Sequence, residues 1–188
     1  MSESLGSKIK QLRLAAGLTW GDLAEAAGIE VSQIVLIENG EASPSISTLI
    51  KLARRMGVRL GTLLDGAETG SPAVTDLKAL VPTINTSKSG GNNHLEFFSL
   101  AGSRSDRNME PFYIDVAYAA NEQKNYSAHE GEEFIFVLEG GIELYYGTEK
   151  YVLGVGESIY YDSIVPHLVT TADKDAHAKV LAITYAPN

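Results

Sequence analysis

Three side chains in the second half of the chain have the types and the spacing of a metal site. His129 and Glu133 stand on either side of a turn-forming segment, residues 130–132, between two expected strands, so both side chains can converge on one point. His167 follows a proline and comes from a distant strand. Two imidazoles and one carboxylate are the ligand set of a facial triad, which leaves open positions on Fe(II) or another divalent metal. These residues predict a divalent-metal site, with Fe, Zn, Ni and Mn as the candidates.

A second interpretation of the same residues needs no metal. Both histidines are then hydrogen-bonded pocket residues, and Glu133 binds a ligand amine or a partner amide. The remaining histidines, His94 and His177, fall in loop-rich segments, and we expect them to be solvated. We expect the neighbouring carboxylates to be exterior charges: Glu130, Glu132 and Glu139.

The composition excludes several other classes of protein. The chain has no cysteine, which excludes disulfides, zinc-thiolate sites and thiol nucleophiles. Hydrophobic residues make up 44% and charged residues 21% of the 188 residues, as in soluble globular proteins. Apolar runs fall far short of the roughly 20 residues that cross a bilayer, and the first residues lack the features of a signal peptide. We therefore expect a cytoplasmic protein without a membrane partner.

The net charge of −9 is unevenly distributed along the chain. Residues 1–66 hold seven basic and seven acidic residues, whereas residues 67–188 hold eight basic and seventeen acidic ones. A neutral half with basic clusters at both ends can approach a polyanion, but a strongly negative half is repelled by one. The two halves are therefore expected to have different electrostatic roles.

The first 65 residues have the periodicity of short helices. Apolar residues recur at spacings of three and four, and the expected helices include residues 20–27, 31–38 and 47–56. Thr19 and Asp22 are spaced to cap the start of one helix, and Gly28 stands where a tight turn needs a positive φ. Two short helices separated by a glycine turn fit the geometry that places the second helix in the DNA major groove.

Residues 18–64 resemble the Xre-like helix-turn-helix family of phage-repressor type. The matching segments are Leu18-Thr19, residues 23–29 (LAEAAGI), Ile37-Glu38-Asn39-Gly40 and Pro44-Ser45. The resemblance implies a domain, expected at residues 1–66, that binds duplex operator DNA. The alternative is a degenerate helical domain used for subunit contacts.

The same resemblance implies which side chains contact DNA. The base-facing positions are Val31, Ser32, Gln33 and Leu36, and Trp20 occupies a phosphate-contacting position. Ser32 and Gln33 can hydrogen-bond a base edge, whereas the two apolar side chains can only touch thymine methyl groups. Trp20 replaces the family's usual Gln and can donate its indole N–H to a phosphate. Basic residues available for the DNA backbone are Lys8, Lys10, Arg13, Lys51, Arg54 and Arg55.

After residue 94 the sequence has the pattern of short strands. Runs rich in β-branched and aromatic residues are interspersed with glycines at residues 112–118, 133–138, 142–146, 151–153, 158–161, 167–171 and 180–185. Many short strands without intervening helices indicate a barrel or a sandwich. We therefore expect a two-domain α+β protein, an all-α bundle followed by an all-β domain. We expect residues 67–93 to form the linker and lead-in, and polar stretches at 65–72 and 87–93 mark its two ends.

Residues 94–188 resemble the cupin superfamily, whose fold is a double-stranded β-helix barrel. The matching segments are residues 129–140 (HEGEEFIFVLEG), 154–158 (GVGES) and 165–167 (VPH). The resemblance implies that His129, Glu133 and His167 face the barrel interior and bind a metal or an effector. Ser127 stands where many cupins have a further histidine.

Residues 107–112 add a resemblance to regulators that join an Xre-like head to a C-terminal cupin. Such regulators bind a small effector in the cupin and operator DNA as dimers. The same architecture resembles the hydroxypropylphosphonate epoxidase family, non-haem iron enzymes with the same triad. The sequence therefore predicts an effector-responsive, homodimeric transcriptional regulator that is not an enzyme. A mononuclear non-haem iron oxygenase or epoxidase with a non-reading helical domain is the alternative.

Two features favour the regulator. The epoxidase family holds its phosphonate with a Lys ahead of the second helix and with several Tyr at the barrel entrance. In this chain, Gly17 occupies the position of that Lys. The entrance segment, residues 95–100, carries Glu96, which repels an anion, and Phe97, which cannot hydrogen-bond one. Because the barrel half is also negative, a neutral or cationic metabolite is the expected effector.

Overall fold

The computed structural model describes residues 4–64, 70, 72–83, 94–120 and 125–187. The first part is helical, with α1 (Leu5–Ala15), α2 (Trp20–Ala27), α3 (Val31–Glu38), α4 (Ile46–Arg55) and α5 (Leu60–Leu64), followed by a 3-10 turn at Leu77–Ala79. Most of the expected polar stretch at 65–72 and all of that at 87–93 lie outside the described residues. No described helix is long and apolar enough to cross a membrane.

Local capping fixes where α2 begins and ends. The Thr19 hydroxyl accepts the N–H of Asp22, and the Asp22 carboxylate accepts the N–H of Thr19, so two otherwise unpaired donors are satisfied. Gly28 ends the helix in the left-handed region with φ 69°, which a residue with a Cβ adopts only at a cost. The capping pair and the glycine turn predicted from the sequence are both confirmed.

The helical domain packs its apolar faces into one core. The fully buried side chains at its centre are Ile9, Leu23, Ile34, Leu49, Leu52 and Leu63. Because α3 buries only Ile34, Ile37 and Glu38, its other face stays accessible. Packing thus fixes α3 against α2 and leaves one side of α3 free for a partner.

The second part is an antiparallel barrel of two sheets. Its strands are β1 (Leu95–Ser99), β2 (Met109–Val116), β3 (Glu132–Glu139), β4 (Gly141–Tyr146), β5 (Glu149–Gly154), β6 (Ser158–Asp162), β7 (His167–Thr170) and β8 (Ala178–Tyr185). One sheet has the order β1-β2-β8-β3-β6 and the other β5-β4-β7. All seven strands expected from the sequence are present, and β1, which the sequence pattern did not indicate as a strand, pairs with β2.

Alternation along the strands separates the barrel interior from its surface. On β8, Ala178, Val180 and Ala182 are buried and alternate with more accessible residues. Phe112 of β2, fully buried, lies opposite the small Ala182, which leaves room for its ring. Since side chains alternate along a strand, the register decides which polar groups point inward.

The helical domain rests directly on the barrel. The Ser47 hydroxyl of α4 donates to the Ala128 carbonyl at 3.1 Å, and Arg54 forms an ion pair with Glu130. At the other end, Arg59 donates to the Asp106 carbonyl at 2.5 Å. A Cβ added at Gly61 would lie 3.1 Å from a barrel carbonyl, so this helix approaches the barrel closely. The last two helices of the head therefore form its contact with the barrel.

One expectation about the histidines is wrong. His94 is only 4% exposed, because it immediately precedes β1 and its ring Nε2–H donates to the Val169 carbonyl at 2.9 Å. Burial lowers the pKa of His94 below its ordinary value. His177, by contrast, is largely exposed beside Asp115, as expected.

Candidate metal centre and DNA-reading face

His129, Glu133 and His167 converge inside the barrel, as the sequence predicts. His129 immediately precedes the Glu130–Gly131 turn into β3, Glu133 is the second residue of β3, and His167 opens β7. Nε2 of His129 lies 2.9 Å and Nε2 of His167 lies 3.8 Å from Oε1 of Glu133. One ligand atom from each of the three lies within 4.8 Å of the others. They form a candidate site for a divalent metal.

Backbone carbonyls set the orientation of both imidazoles. Nδ1 of His129 lies 3.1 Å from the Glu130 carbonyl, and Nδ1 of His167 lies 2.9 Å from the Val165 carbonyl. Because a carbonyl only accepts, Nδ1 of each ring carries a proton, so each Nε2 faces Glu133. Nε2 of His129 donates to Glu133 when it is protonated, and either Nε2 offers a lone pair to a metal once its proton is lost. This is the arrangement that prepares a histidine for a metal.

The donor set fits a cation. With both rings neutral, two Nε2 lone pairs and the carboxylate of Glu133 face one another at short range, which is unfavourable unless a proton or a cation lies between them. Burial raises the pKa of Glu133, but the hydrogen bond from His129 and the charges of the two imidazoles outweigh this and hold that pKa below its ordinary value. Burial lowers the pKa of His167. Both directions favour an ionised carboxylate beside a neutral imidazole, the forms that bind a metal.

Tyr161 completes the centre and was not among the residues that the sequence indicated. Its hydroxyl donates to Oε2 of Glu133, and its ring centroid lies 5.1 Å from that of His167. Burial and the charge of Glu133 raise the pKa of Tyr161 well above its ordinary value, so it stays a donor. Only the β3–β6 register, in which Tyr161 lies opposite Glu133, could have identified it.

The triad faces a cavity of about 60 Å³ that the helical domain helps to close. Ile46 and Ser47 of α4 line it together with Ser127 and Phe97 of the barrel. A water needs about 10–15 Å³ of such space, so the cavity holds an ion with a few waters or a very small ligand. A larger ligand has to extend beyond it.

The predicted base-facing side chains share the accessible face of α3. Val31, Ser32, Gln33 and Leu36 are all exposed, whereas Ile34 lies in the core. The face offers two hydrogen-bonding side chains and two apolar ones, as expected from the sequence. Contact with DNA bases remains a prediction for all four.

The indole N–H of Trp20 has a hydrogen-bond partner within the chain. Trp20 is exposed at the start of α2, but its Nε1–H donates to Oε2 of Glu38 at 2.9 Å. Glu38 also accepts two hydrogen bonds from Arg13, at 2.6 and 2.9 Å, and Arg13 is buried. Contact of Trp20 with a phosphate stays a prediction and requires release of the indole N–H from Glu38, whereas the buried Arg13 connects α1 to α3 through Glu38.

The two arginines predicted to contact the DNA backbone also have partners within the chain. Arg55 lies 3.3 Å from Asp22 near the start of α2. Arg54 contacts Glu130 on the barrel. Both side chains remain about half exposed. Their contact with phosphates stays a prediction, and for Arg54 it requires release from the barrel.

The helical head presents the accessible face of α3 and is joined to a small barrel with an interior triad. These features define a two-domain protein of helix-turn-helix and cupin type. Residues 9–63 match the helix-turn-helix family, and residues 114–184 match the cupin domain. The chain therefore carries a helix-turn-helix domain and a cupin domain.

Similar proteins fall into two functional groups. The chain is 27% identical over 168 residues to the HTH-type transcriptional regulator SutR of Escherichia coli, covering 89% of this chain and 87% of SutR. It is 24% identical to the (S)-2-hydroxypropylphosphonic acid epoxidase of Streptomyces wedmorensis, covering 98% and 96% of the two chains. Its fold is similar to that of an HTH_3 family transcriptional regulator from Vibrio cholerae, with a TM-score of 0.69, 23% identity and coverage of 98% and 96%.

Proposed function

We propose that the protein is a DNA-binding transcriptional regulator whose cupin domain senses a small-molecule effector. The observation that carries the proposal is the face of α3, which is accessible, uncharged and mounted on a complete helix-turn-helix core. The similarity to SutR over most of both chains supports the same function.

Binding to DNA places α3 in the major groove. Ser32 and Gln33 supply hydrogen bonds to base edges, and Val31 and Leu36 contact thymine methyl groups. With so few reading groups, most of the affinity comes from phosphate contacts, which position the head without specifying a sequence. A homodimer formed through the barrels would span two half-sites about one helical turn apart.

The barrel supplies the effector site of this proposal. His129, Glu133 and His167 would hold a divalent metal, which when bound offers open coordination positions to a small ligand. Because α4 helps to close the cavity, a ligand at the triad is in position to influence the head. An effector that couples to DNA binding typically changes operator affinity by an amount equivalent to about 1 to 3 kcal/mol.

A metal-dependent oxygenase or epoxidase is the second candidate, and the triad itself favours it. Two histidines and a carboxylate are the ligands of non-haem Fe(II) oxygenases, and the epoxidase relative spans nearly the whole chain. Gly17, at the position that matches the epoxidase family's Lys, has open space beside it and no side chain to hold a phosphonate. For this reason we rank the enzyme second.

Footprinting tests DNA binding directly. At low salt, the purified protein is expected to protect a site in the neighbouring genomic region, and Gln33→Ala is expected to relax preference at one base position. Gln11→Ala, which removes an exposed glutamine from α1, is the matched control and should leave the footprint unchanged. Absence of any protected site would contradict the regulator and leave the head with a structural role.

Recovery of the ligand separates regulator from enzyme. Metabolites that raise the melting temperature are expected to change operator affinity and to be recovered unaltered after aerobic incubation with the Fe(II)-loaded protein. Recovery of an oxidised product, whose formation stops on changing His129 or His167 to Ala, would instead establish the oxygenase.

A further inference from the structure

A groove of about 600 Å³ lies between α4 and the mouth of the barrel, outside the cavity that holds the triad. Ile50, Lys51, Arg54 and Arg55 line it from the head, and His129 and Ile164 line it from the barrel. Its volume falls within the range of small-molecule sites, about 300–1,000 Å³, and such sites are often found at domain junctions. The groove is therefore large enough for a ligand that the inner cavity cannot hold.

The charge of this groove is positive although the barrel half is negative. All three cations come from the last turns of α4, and Glu130 is the only carboxylate in the described lining. Glu130 pairs with Arg54, and Arg55 contacts Asp22 on α2. Among the described residues, Lys51 forms no ion pair within 4.0 Å. An excess of positive charge thus faces the groove with one ammonium group available.

Apolar side chains accompany the cations. Ile50 contributes from α4, and Ile164, which is exposed, contributes from the turn between β6 and β7. A site with a few charged groups and apolar walls suits a ligand that has one anionic group and a compact apolar body. A neutral ligand would leave the ammonium group of Lys51 without a charged partner in the groove.

We propose that this groove binds a small organic anion, a carboxylate or a phosphate ester with an apolar body. The anionic group pairs with Lys51 and the two arginines, and the body packs between Ile50 and Ile164. His129 lines both the groove and the inner cavity, so the ligand lies beside the metal triad. Binding of the anion does not depend on the proposed function, and only its role as the effector rests on it.

The location changes the ligand class expected from the sequence. The excess of acidic residues after residue 67 led to the expectation of a neutral or cationic metabolite, but the cations of this groove belong to the neutral helical half. Because the ligand touches both domains, it binds most tightly when head and barrel are arranged as in this structure, and it thereby favours that arrangement.

Titration calorimetry of the full chain with benzoate, phenyl phosphate and benzamide tests the proposal. Benzamide has nearly the shape of benzoate without its charge. We expect at least one of the two anions to bind about tenfold more tightly than benzamide, because the amide cannot form the interaction with a charged partner. The tighter of the two anions identifies the carboxylate or the phosphate class.

Substitution of Lys51 locates the site. Lys51→Gln is expected to weaken binding of the preferred anion by about tenfold, whereas Lys174→Gln, at an exposed lysine of the barrel, should leave it unchanged. Melting temperature and circular dichroism confirm that both variants are folded. The proposal is overturned if neither anion binds at about 10 mM, if benzamide binds equally well, or if both variants have the same effect.

DNA binding by the same samples separates this proposal from the proposed function. If the protein binds the anion through Lys51 but protects no operator, the anion site is supported and the proposed regulatory function is contradicted. A second outcome is tight binding of random duplex DNA, with Lys51→Gln lowering the affinity for DNA but not the affinity for the anions. In that case the groove is part of a surface that contacts DNA phosphates, and the small-anion site is overturned.

Discussion

The hydroxyl of Tyr161 donates a hydrogen bond to Oε2 of Glu133, across the β3–β6 strand pair in which the two residues lie opposite each other. The carboxylate is thereby held with Oε1 facing the Nε2 atoms of both histidines. One carboxylate oxygen is engaged by Tyr161, and the other is left for a metal.

Removing this hydroxyl is expected to weaken metal binding. Outer partners of metal ligands typically contribute about 10–100-fold to affinity, so Tyr161→Phe should lower the affinity for Fe(II) or Zn(II) by about that factor. The measurement is competition with a chromophoric chelator at neutral pH. Tyr160→Phe, which removes the hydroxyl of the exposed neighbour, should have no effect. Equal affinity in wild type and Tyr161→Phe would show that the hydrogen bond does not position the carboxylate.

Loss of the carboxylate charge should remove the metal without unfolding the barrel. Glu133→Gln keeps the shape of the side chain and is expected to reduce metal content, measured by elemental analysis, with the circular dichroism spectrum unchanged. In the wild type, retention should fall as acid protonates the imidazoles. Because burial lowers the pKa of His167, its share of this loss lies below the ordinary histidine value of about 6.5. Full retention by Glu133→Gln would contradict a metal held by the triad.

The stability of the protein should fall in mild acid, in part because of His94. Its pKa is lowered in the folded state by burial, so below about pH 6.5 the unfolded chain binds a proton more readily than the folded one. The contribution is present above the unfolded pKa and is lost as the pH falls. Urea unfolding at several pH values should show a smaller dependence in His94→Phe and an unchanged one in His177→Gln, whose ring is exposed. The same dependence in all three proteins would exclude His94 as a cause.

Loss of the two arginines on α4 should weaken DNA binding irrespective of sequence. Replacing Arg54 and Arg55 with Ala is expected to lower affinity for operator and random DNA alike. The slope of log K against log salt should flatten by about one for each phosphate that the protein no longer neutralises. Fluorescence anisotropy over a range of salt concentrations measures both the affinity and the slope. A reduction confined to the operator would mean that these residues read bases.

Releasing Arg54 from the barrel should have the opposite effect. Glu130→Gln removes its partner, and since the pair is half exposed its loss costs little stability, about 0–1 kcal/mol. Freed for phosphates, Arg54 is expected to raise affinity for random DNA at low salt by about threefold. Glu139→Gln removes the same charge from an exposed position paired with Lys179 and is the control. An equal rise in both variants would assign the effect to net charge alone.

Much of this protein follows from local sequence patterns. Helix bounds for α2 and α3, the capping by Thr19 and Asp22 and the turn at Gly28 were predicted correctly because they depend on neighbouring residues. The strands of the barrel other than β1 followed from runs of β-branched and aromatic residues and from glycine spacing, and the convergence of the triad followed from its motif. Each of these features is set by contacts within a short stretch or by a recurrent spacing.

Other features were decided only by tertiary structure. Trp20 donates to Glu38 and Arg13 is buried because α1, α2 and α3 meet, although both side chains suit DNA contact when viewed in sequence alone. Tyr161 joined the metal centre through strand register, and His94 was buried by the start of β1. The positive groove beside a negative barrel arises because folding places the cations of α4 at the boundary between the two domains. Net charge and spacing describe segments, whereas the surroundings of a side chain depend on residues that are distant in the chain and adjacent only after folding.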